Sequence, residues 1–220
     1  MKMKQKLIAG AVALSAFAGF SVPAVHAEVA ASVGVSNMYY WRGYDLGGGA
    51  ALTADINVSG NGFFAGAWTS SGDESLGTEY DLYAGYAGEA GDFKYGVSVV
   101  SYNYPELGGE EKIAPGDYVE IIPMIGYGPL KVTYYDAVAA EVSPLDNKDY
   151  SYATAELIFE KFAVKYGQHM DDGDTTSSHL DLTYKYNDKL SFTVGTLVDD
   201  GDDEEADDAT FVVSLSLPIE

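Results

Sequence analysis

The sequence contains no cysteine, and after residue 28 it has no long apolar run. The lack of thiols excludes disulfide bonds, thiolate metal ligands and cysteine nucleophiles. A membrane-spanning helix needs about 20 consecutive apolar residues, and no segment after residue 28 provides them. Basic residues are scarce too, with 12 Lys and Arg against 34 Asp and Glu. The length after residue 28 predicts a single acidic domain.

The first 27 residues have the composition of a secretory signal peptide. Three lysines within the first six residues precede an apolar, small-residue stretch over 7–22, and Val25-His26-Ala27 offers small residues at the cleavage positions. The alternative is a membrane anchor, although the stretch is short for a spanning helix. The sequence therefore predicts a cleaved signal peptide over 1–27 and an exported domain over 28–220.

The charge of the chain is strongly negative. The formal charge is −22, and without the three lysines of the signal region 9 basic residues face 34 acidic ones, which gives −25. Such a field repels nucleic acid and attracts cations, so nucleic-acid binding is excluded. The alternative explanation of the charge is solubility or a saline habitat.

Short segments of alternating apolar and polar residues follow one another along the domain. Leu180, Leu182 and Tyr184 alternate with Asp181 and Thr183, so one face of this segment is apolar and the other polar. Most such segments have the 8–11 residues that a tilted membrane strand requires. The twelve predicted strands are 29–43, 50–58, 63–70, 79–87, 93–103, 117–127, 130–137, 150–159, 162–170, 179–186, 190–197 and 209–217.

The connections between these strands are of two alternating kinds. The short ones, rich in Gly and Asn, are 59–62, 88–92, 128–129, 160–161 and 187–189. The others, mostly longer and acidic, are 44–49, 71–78, 104–116, 138–149, 171–178 and 198–208. This alternation predicts an all-β transmembrane antiparallel up-and-down β-barrel of about 12 strands, with short turns at the periplasmic rim and long loops outside the cell.

Aromatic residues near both strand ends indicate two girdles at the membrane interfaces. Those near the long connections are Tyr39, Tyr40, Trp41, Trp68, Tyr102, Tyr118, Tyr135 and Tyr150. Those near the short turns are Phe63, Tyr86, Phe93, Tyr127, Phe159, Phe162, Tyr186 and Phe192. Alternation does not say which face is inside, so a secreted soluble barrel or sandwich is the alternative fold.

Three segments resemble a family of proteobacterial outer-membrane proteins, the TorF-family porins. They are SNMYYWRG at 36–43, FFAGAWTS at 63–70 and EYDLYAGYAGEAGDFKYGVSVVSYNY at 79–104. The resemblance covers the whole exported domain. It implies one β-barrel in the bacterial outer membrane and a channel role, and it carries over no catalytic residue.

The strand parity assigns a set of polar side chains to the barrel lumen, because a charge in hydrocarbon is costly. The predicted pore-lining residues are Arg42, Asp55, Lys94, Glu120, Lys131, Glu156, Lys165, His169, His179, Asp181 and Lys185. Glu156 and Lys165 flank a two-residue turn at equal distance, which predicts a cross-strand ion pair. Lysines lie toward the short turns and acids toward the long loops. These charges either tune ion preference or pair to fill a closed lumen.

Two further sites are conceivable from residue type alone. His169 and His179 lie near several aspartates, which would suit a metal or pH-sensing site, and Ser177 lies beside His179, which would suit a hydrolase. Neither pattern is specific, so we expect no enzyme, no catalytic residue, no cofactor and no committed metal site.

One loop concentrates acidic residues at a density that could bind divalent cations weakly. Its members are Asp199, Asp200, Asp202, Asp203, Glu204, Glu205, Asp207 and Asp208. The ordinary interpretation is a solvated loop. Bridging to lipopolysaccharide phosphates through divalent ions is a further hypothesis.

Taken together, these patterns predict an outer-membrane channel for passive diffusion of small hydrophilic solutes or ions, with a preference for cations. Outer-membrane lipid, lipopolysaccharide, small solutes and cations are the expected partners. The alternative is a non-conducting barrel that serves as a structural anchor or binds cations or a partner through its acidic loops. No loop looks long enough to fill the lumen, which favours conduction.

Overall fold

The computed structural model describes residues 28–47, 49–74, 76–105, 112–140, 147–199 and 209–219, all as strands and connections. The expected signal peptide, 1–27, lies outside the described residues. The fourteen strands are β1 (Glu28–Ser36), β2 (Tyr40–Trp41), β3 (Tyr44–Asp45), β4 (Ala51–Gly60), β5 (Phe63–Asp73), β6 (Gly77–Ala90), β7 (Phe93–Tyr104), β8 (Ile113–Tyr127), β9 (Leu130–Ala140), β10 (Tyr150–Ile158), β11 (Phe162–Asp171), β12 (Asp174–Lys185), β13 (Leu190–Asp199) and β14 (Thr210–Ile219).

Twelve of these strands form one closed antiparallel barrel, which confirms the predicted fold class. From β4 to β14 each strand pairs with the next along the chain, and β1 closes the barrel by pairing with both β4 and β14. The short turns have the expected chemistry. Asn61 and Gly62, for example, take φ values of 52° and 92°, as a two-residue hairpin turn between twisted strands requires.

Several predicted strand ends differ from the structure by a few residues, and two boundaries differ most. The first strand was expected to run to residue 43, but β1 ends at Ser36, and β2 and β3 form a separate two-stranded hairpin. The predicted loop 171–178 is a tight turn at Asp172 and Gly173, and β12 begins at Asp174. Residues 174–178 are polar, but they continue the strand because their backbone pairs with β11 beyond the apolar part of the barrel.

The polarity of the barrel is that of a protein surrounded by lipid. Outward side chains along the strands are apolar and exposed, among them Leu52, Ile56, Leu82, Val97, Val99, Ile121, Leu182, Val194 and Phe211. Inward side chains that are buried include Asp81, Ser98, Glu120, Thr133, Thr154, His179, Asp181, Thr193 and Ser214. A soluble barrel buries its apolar face, so this inversion argues against the soluble alternative.

Of the two predicted aromatic girdles, the one near the short turns faces outward and the one near the long connections does not. Near the short turns, the large rings face outward and are exposed, led by Tyr127 at 66% and Phe63 at 65% of their surface. Near the long connections, the expected girdle was wrong: Tyr39, Tyr40 and Tyr102 are buried inside the barrel, with 4% or less of their surface exposed. Their hydroxyl groups reach polar partners in the lumen, which a position facing lipid would not offer.

Across the described segments, no helix has the length and apolarity needed to cross a bilayer.

The apolar exterior can be tested by introducing a positive charge at two outward positions, one in the apolar band and one at the rim. Leu182 lies within the apolar band on β12, beside Val164 and Val194, and Tyr186 lies at the short-turn rim. We expect Leu182→Arg to lower the free energy of unfolding from lipid vesicles by about 2–4 kcal/mol, because the guanidinium is forced into hydrocarbon. Tyr186→Arg is the matched control and should cost about 1 kcal/mol. Equal costs in a denaturant titration would contradict a lipid-facing band.

Candidate functional site

The connection between β1 and β4 folds back into the lumen, in the half of the barrel nearer the long connections, so the expectation that no loop fills the lumen was wrong for this half. We call residues 37–47, which contain β2 and β3, the inner hairpin. Its side chains contact inward residues from β6 to β12, and Tyr40 closely approaches Gly195 of β13. At Gly195 a Cβ atom would collide with the Tyr40 hydroxyl, so this wall position accommodates the hairpin only as glycine.

The turn of the inner hairpin carries the functional side chain. Arg42 and Gly43 occupy its two central positions with φ values of 49° and 97°. Glycine adopts this left-handed conformation freely, whereas arginine does so at a cost of about 1–3 kcal/mol. The buried contacts of the Arg42 side chain compensate this strain.

Arg42 makes a bidentate ion pair with Glu120 of β8. Nη2 lies 2.6 Å from Oε2 and Nη1 lies 2.9 Å from Oε1, and both side chains are almost fully buried. Glu120 also accepts hydrogen bonds from Tyr102 at 2.7 Å and Tyr118 at 3.3 Å, so its lone pairs are well used. Burial lowers the pKa of Arg42, but the charge of Glu120 outweighs burial and raises the pKa well above its usual value. The guanidinium is therefore permanently charged.

Aromatic rings enclose the same guanidinium. Its Cζ atom lies 4.3 Å from the ring centroid of Trp41, 4.5 Å from Tyr135 and 4.8 Å from Tyr152. Such cation–π contacts stabilise a desolvated cation, because the negative face of each ring partly replaces water. Nη1 also donates a hydrogen bond to the hydroxyl of Tyr150 at 3.0 Å. Arg42 thus connects the inner hairpin to neighbouring strands of the wall, β8, β9 and β10.

A second group of contacts holds the hairpin against β12. Tyr40 donates to Asp181 Oδ1 at 2.7 Å, and His179 Nδ1 donates to the same oxygen at 2.9 Å. His179 Nε2 is hydrogen-bonded to the Tyr152 hydroxyl at 2.7 Å. Burial, followed by the charge of Asp181, raises the pKa of Tyr40, which keeps its hydroxyl a donor. The result is a continuous chain of hydrogen bonds from β10 to the hairpin.

His169 and Ser177 also form hydrogen bonds with the inner hairpin. His169 Nε2 lies 2.7 Å from the backbone carbonyl of Arg42, which can only accept, so this nitrogen carries the proton. Ser177 Oγ accepts from Tyr44 of the hairpin at 2.6 Å. Both side chains therefore hold the hairpin. Nothing in these contacts directs Ser177 toward His179, as a hydrolase would require.

In the half of the lumen nearer the short turns, charges pair along the wall. Lys131 Nζ lies 2.7 Å from Glu156 Oε2, and Lys165 Nζ lies 3.1 Å from Asp181 Oδ2. Glu156 and Lys165 do lie opposite each other, as predicted, but the expected ion pair between them was wrong. Glu156 also lies opposite Lys131 on β9, and Lys165 also lies opposite Asp181 on β12, and each side chain pairs with that second partner instead.

The remaining predicted lumen residues lie along the same wall. Asp55 accepts hydrogen bonds from Tyr83 and Asn57, both at 2.8 Å. Lys94 is opposite Glu89, close to a short turn, and Lys185 is likewise close to one. All eleven predicted residues are buried or half-buried, but Arg42 comes from the inner hairpin rather than from a barrel strand.

Sequence reasoning missed most of the partners of Arg42. Tyr102 and Tyr118 were assigned to an aromatic girdle, yet they have the same strand parity as Lys94 and Glu120, which were assigned to the lumen. Parity was therefore the available signal. In the structure, register shifts occur next to Glu120, His169 and His179, three wall residues that contact the hairpin.

Metal binding has limited structural support. Among the described residues, no group of three or more histidine, aspartate or glutamate side chains is arranged to hold a metal ion. The acidic loop is described only at Asp199, and its other seven predicted members lie outside the described residues.

The coupling between Arg42 and Glu120 can be measured by a double-mutant cycle. Glu120→Gln should lower the free energy of unfolding by about 3 kcal/mol, because it leaves the Arg42 charge buried without a counter-charge. The double variant Arg42→Met/Glu120→Gln should lose at least 1 kcal/mol less than the sum of the two single variants. The same cycle on Lys131 and Glu156, which are more exposed, is the control and should give less than about 1 kcal/mol. Denaturant unfolding in micelles gives these values, and additive losses at Arg42 and Glu120 would contradict the pairing.

The barrel resembles several solved outer-membrane proteins at low identity. The KdgM porin is 9% identical, with 88% of this chain and 99% of that chain covered and a TM-score of 0.45. The outer membrane phospholipase of Salmonella typhi, a dimer with bound calcium, is 9% identical over 87% and 90% of the chains, with a TM-score of 0.44. An outer membrane channel from Pseudomonas putida F1 is 13% identical over 90% and 97%, with a TM-score of 0.34. These values assign no function.

No curated protein matches the sequence. Residues 21–198 fit the family described as a bacterial protein of unknown function, Gcw_chp. The narrower resemblance to TorF-family porins stays a prediction beside this match. The chain belongs to the Gcw_chp family.

Proposed function

We propose that this protein is an outer-membrane channel for small hydrophilic solutes or ions, and that the inner hairpin forms its constriction. The apolar exterior and polar interior support a position in lipid with a hydrated lumen. The outer membrane is the compartment that the signal peptide and the barrel together favour, because spanning barrels of this kind are exported.

The observation that carries the channel proposal is the way in which the lumen is filled. In the half of the lumen nearer the long connections, the side chains of the wall do not fill the space by themselves. The inner hairpin occupies this half and is held there by side-chain hydrogen bonds and one buried ion pair. A barrel that serves only as an anchor can close with wall side chains alone. A separate segment held by side-chain contacts instead suits a lumen that opens when those contacts break.

The other half of the lumen supports the same proposal. Its ion pairs are partly exposed: 29% of the Lys165 side chain and 18% of the Glu156 side chain are accessible to water. Glu120, by contrast, is fully buried beneath the hairpin. The lumen is therefore wetter toward the short turns, and the inner hairpin is the barrier between that wet half and the long connections.

The packing around the hairpin is uneven. On the side of β1, β4 and β14 a cavity of about 40 Å³ remains between the hairpin and the wall, lined mainly by apolar groups such as Met38, Ala51, Trp68 and Val212. A cavity of this size is close to the volume of a single water. This pocket therefore separates part of the hairpin from β1, β4 and β14, whereas polar contacts join the hairpin to β8 and β12.

Cation preference is part of the proposal and follows from charge. The exported domain carries a formal charge of −25, and its acidic residues are concentrated in the long connections. A negative mouth raises the local concentration of cations. Outer-membrane lipid is the surrounding partner we propose, with lipopolysaccharide phosphates bridged to the acidic loop through divalent ions.

A second function, a non-conducting barrel that acts as an anchor or a surface binding protein, is favoured by one observation. The network around Arg42 and Glu120 is fully buried and spans the lumen from the hairpin to β8, β9 and β10. If the inner hairpin always stays in the lumen, no solute passes through the barrel.

Single-channel recording of the refolded protein in a planar bilayer separates the two functions. The wild-type protein should give small, discrete steps with a cation-selective reversal potential under a salt gradient. The variant Arg42→Met/Glu120→Gln removes the ion pair without leaving a buried charge, and we expect its steps to be about twofold larger or its openings more frequent.

The matched control is Lys131→Met/Glu156→Gln, which removes a lumen ion pair outside the hairpin contacts. It should leave the frequency of opening unchanged. Anion-selective steps would keep the channel and reject the cation preference. A correctly folded barrel that conducts in neither form would reject the channel and leave the anchor or surface-binding function.

A further inference from the structure

A closed ring of hydrogen bonds begins and ends on Arg42. Its Nη1 donates to the hydroxyl oxygen of Tyr150 at 3.0 Å, and that hydroxyl lies 3.0 Å from His169 Nδ1. His169 Nε2, which carries a proton, donates to the backbone carbonyl of Arg42 at 2.7 Å. In a neutral imidazole Nδ1 offers only a lone pair, so the Tyr150 hydroxyl donates to it. Each hydrogen of the ring therefore has one acceptor.

A second proton on His169 disrupts this ring. Nδ1 becomes a donor, and it points at a Tyr150 oxygen that already accepts from Arg42. The Tyr150 hydrogen then loses its acceptor. The imidazolium charge is also separated from the guanidinium by a single tyrosine, in a buried part of the lumen where two like charges repel each other more strongly than they do in water.

Among the described residues, the other groups in contact with His169 supply no negative charge. Trp41 and Tyr44 of the inner hairpin, Tyr152 of β10, and Ser177 and His179 of β12 surround its ring. The carboxylates of this region are bound to other partners, Glu120 to Arg42 and Asp181 to His179. A positive charge on His169 is therefore not compensated while the hairpin is in place.

We propose that protonation of His169 releases the inner hairpin from the lumen wall. With the hairpin bound, the hydrogen-bond ring keeps the imidazole neutral. Once the hairpin leaves, the imidazole meets water and takes up a proton near about pH 6.5. A proton therefore binds the released state better than the bound state, and acid shifts the population toward release. That acid also opens the channel rests on the proposed function, whereas the release itself does not.

Release can be measured without conduction, on the refolded full chain in detergent micelles. The chain has two tryptophans, so Trp68→Phe leaves Trp41 of the hairpin as the only fluorescent indole. In this background, quenching of Trp41 by acrylamide should increase as the solution is acidified from about pH 7 to about pH 4. The released fraction should rise by at most about tenfold per pH unit, the limit for uptake of one proton. Unchanged far-ultraviolet circular dichroism over this range shows that the barrel stays folded.

The test variant is His169→Gln, whose side-chain amide can still donate to the Arg42 carbonyl but does not titrate. It should lose the acid dependence of Trp41 quenching. The matched control is His179→Gln, which replaces the other lumen histidine beside the hairpin. His179 is bound to Asp181, which compensates a proton on that ring, so the control should keep the acid response. In bilayers, acid should make openings more frequent in the parent protein and in His179→Gln, and not in His169→Gln.

Two outcomes would overturn the proposal. Trp41 quenching could stay constant down to about pH 4, or His169→Gln could keep the acid response, which would assign the titration to a carboxyl group such as that of Glu120. The fate of the channel is decided separately. Acid release in a barrel that carries no current supports this inference and rejects the proposed function, whereas openings that ignore pH keep the function and reject the inference.

Discussion

The exclusion of charge from hydrocarbon is the constraint on which the rest of this structure depends. Because the outer face of the barrel must be apolar, charged side chains on the spanning strands turn inward. There they are removed from most of the water and must find partners. Lys131 and Glu156 pair between adjacent strands, whereas Val100 and Ala137, the residues opposite Glu120, carry no charge. The inner hairpin brings Arg42 to Glu120.

Much of the barrel could be predicted from the sequence, because its strands are specified by local patterns. Period-two alternation located all twelve barrel strands, and turn residues such as Asn61 and Gly62 placed the short connections. Errors of a few residues at the long-connection ends have a simple cause. There the strands pass beyond the apolar band, and backbone pairing continues after the alternation has stopped, as at Asp174.

The candidate site was less predictable, because it depends on contacts between residues far apart in the chain. Arg42 and Glu120 are separated by 78 positions, and no local pattern couples them. The aromatic residues before Arg42 suit a membrane interface and a polar lumen equally well, since tyrosine has an apolar ring and a polar tip. Tyr102 was different: its parity matched Lys94, so the alternation itself indicated an inward side chain.

The position of the inner hairpin in the chain also bears on how the barrel assembles. The seam between β1 and β14 joins residues such as Ser36 and Ser214, 178 positions apart, and bringing them together carries a loop-closure cost that grows with chain length. The hairpin follows β1 directly and touches the wall from β6 to β13. A sheet that curls around this segment therefore carries β1 toward its last partner. Contacts between the hairpin and the wall, once formed, shorten the loop of chain that closing this seam requires.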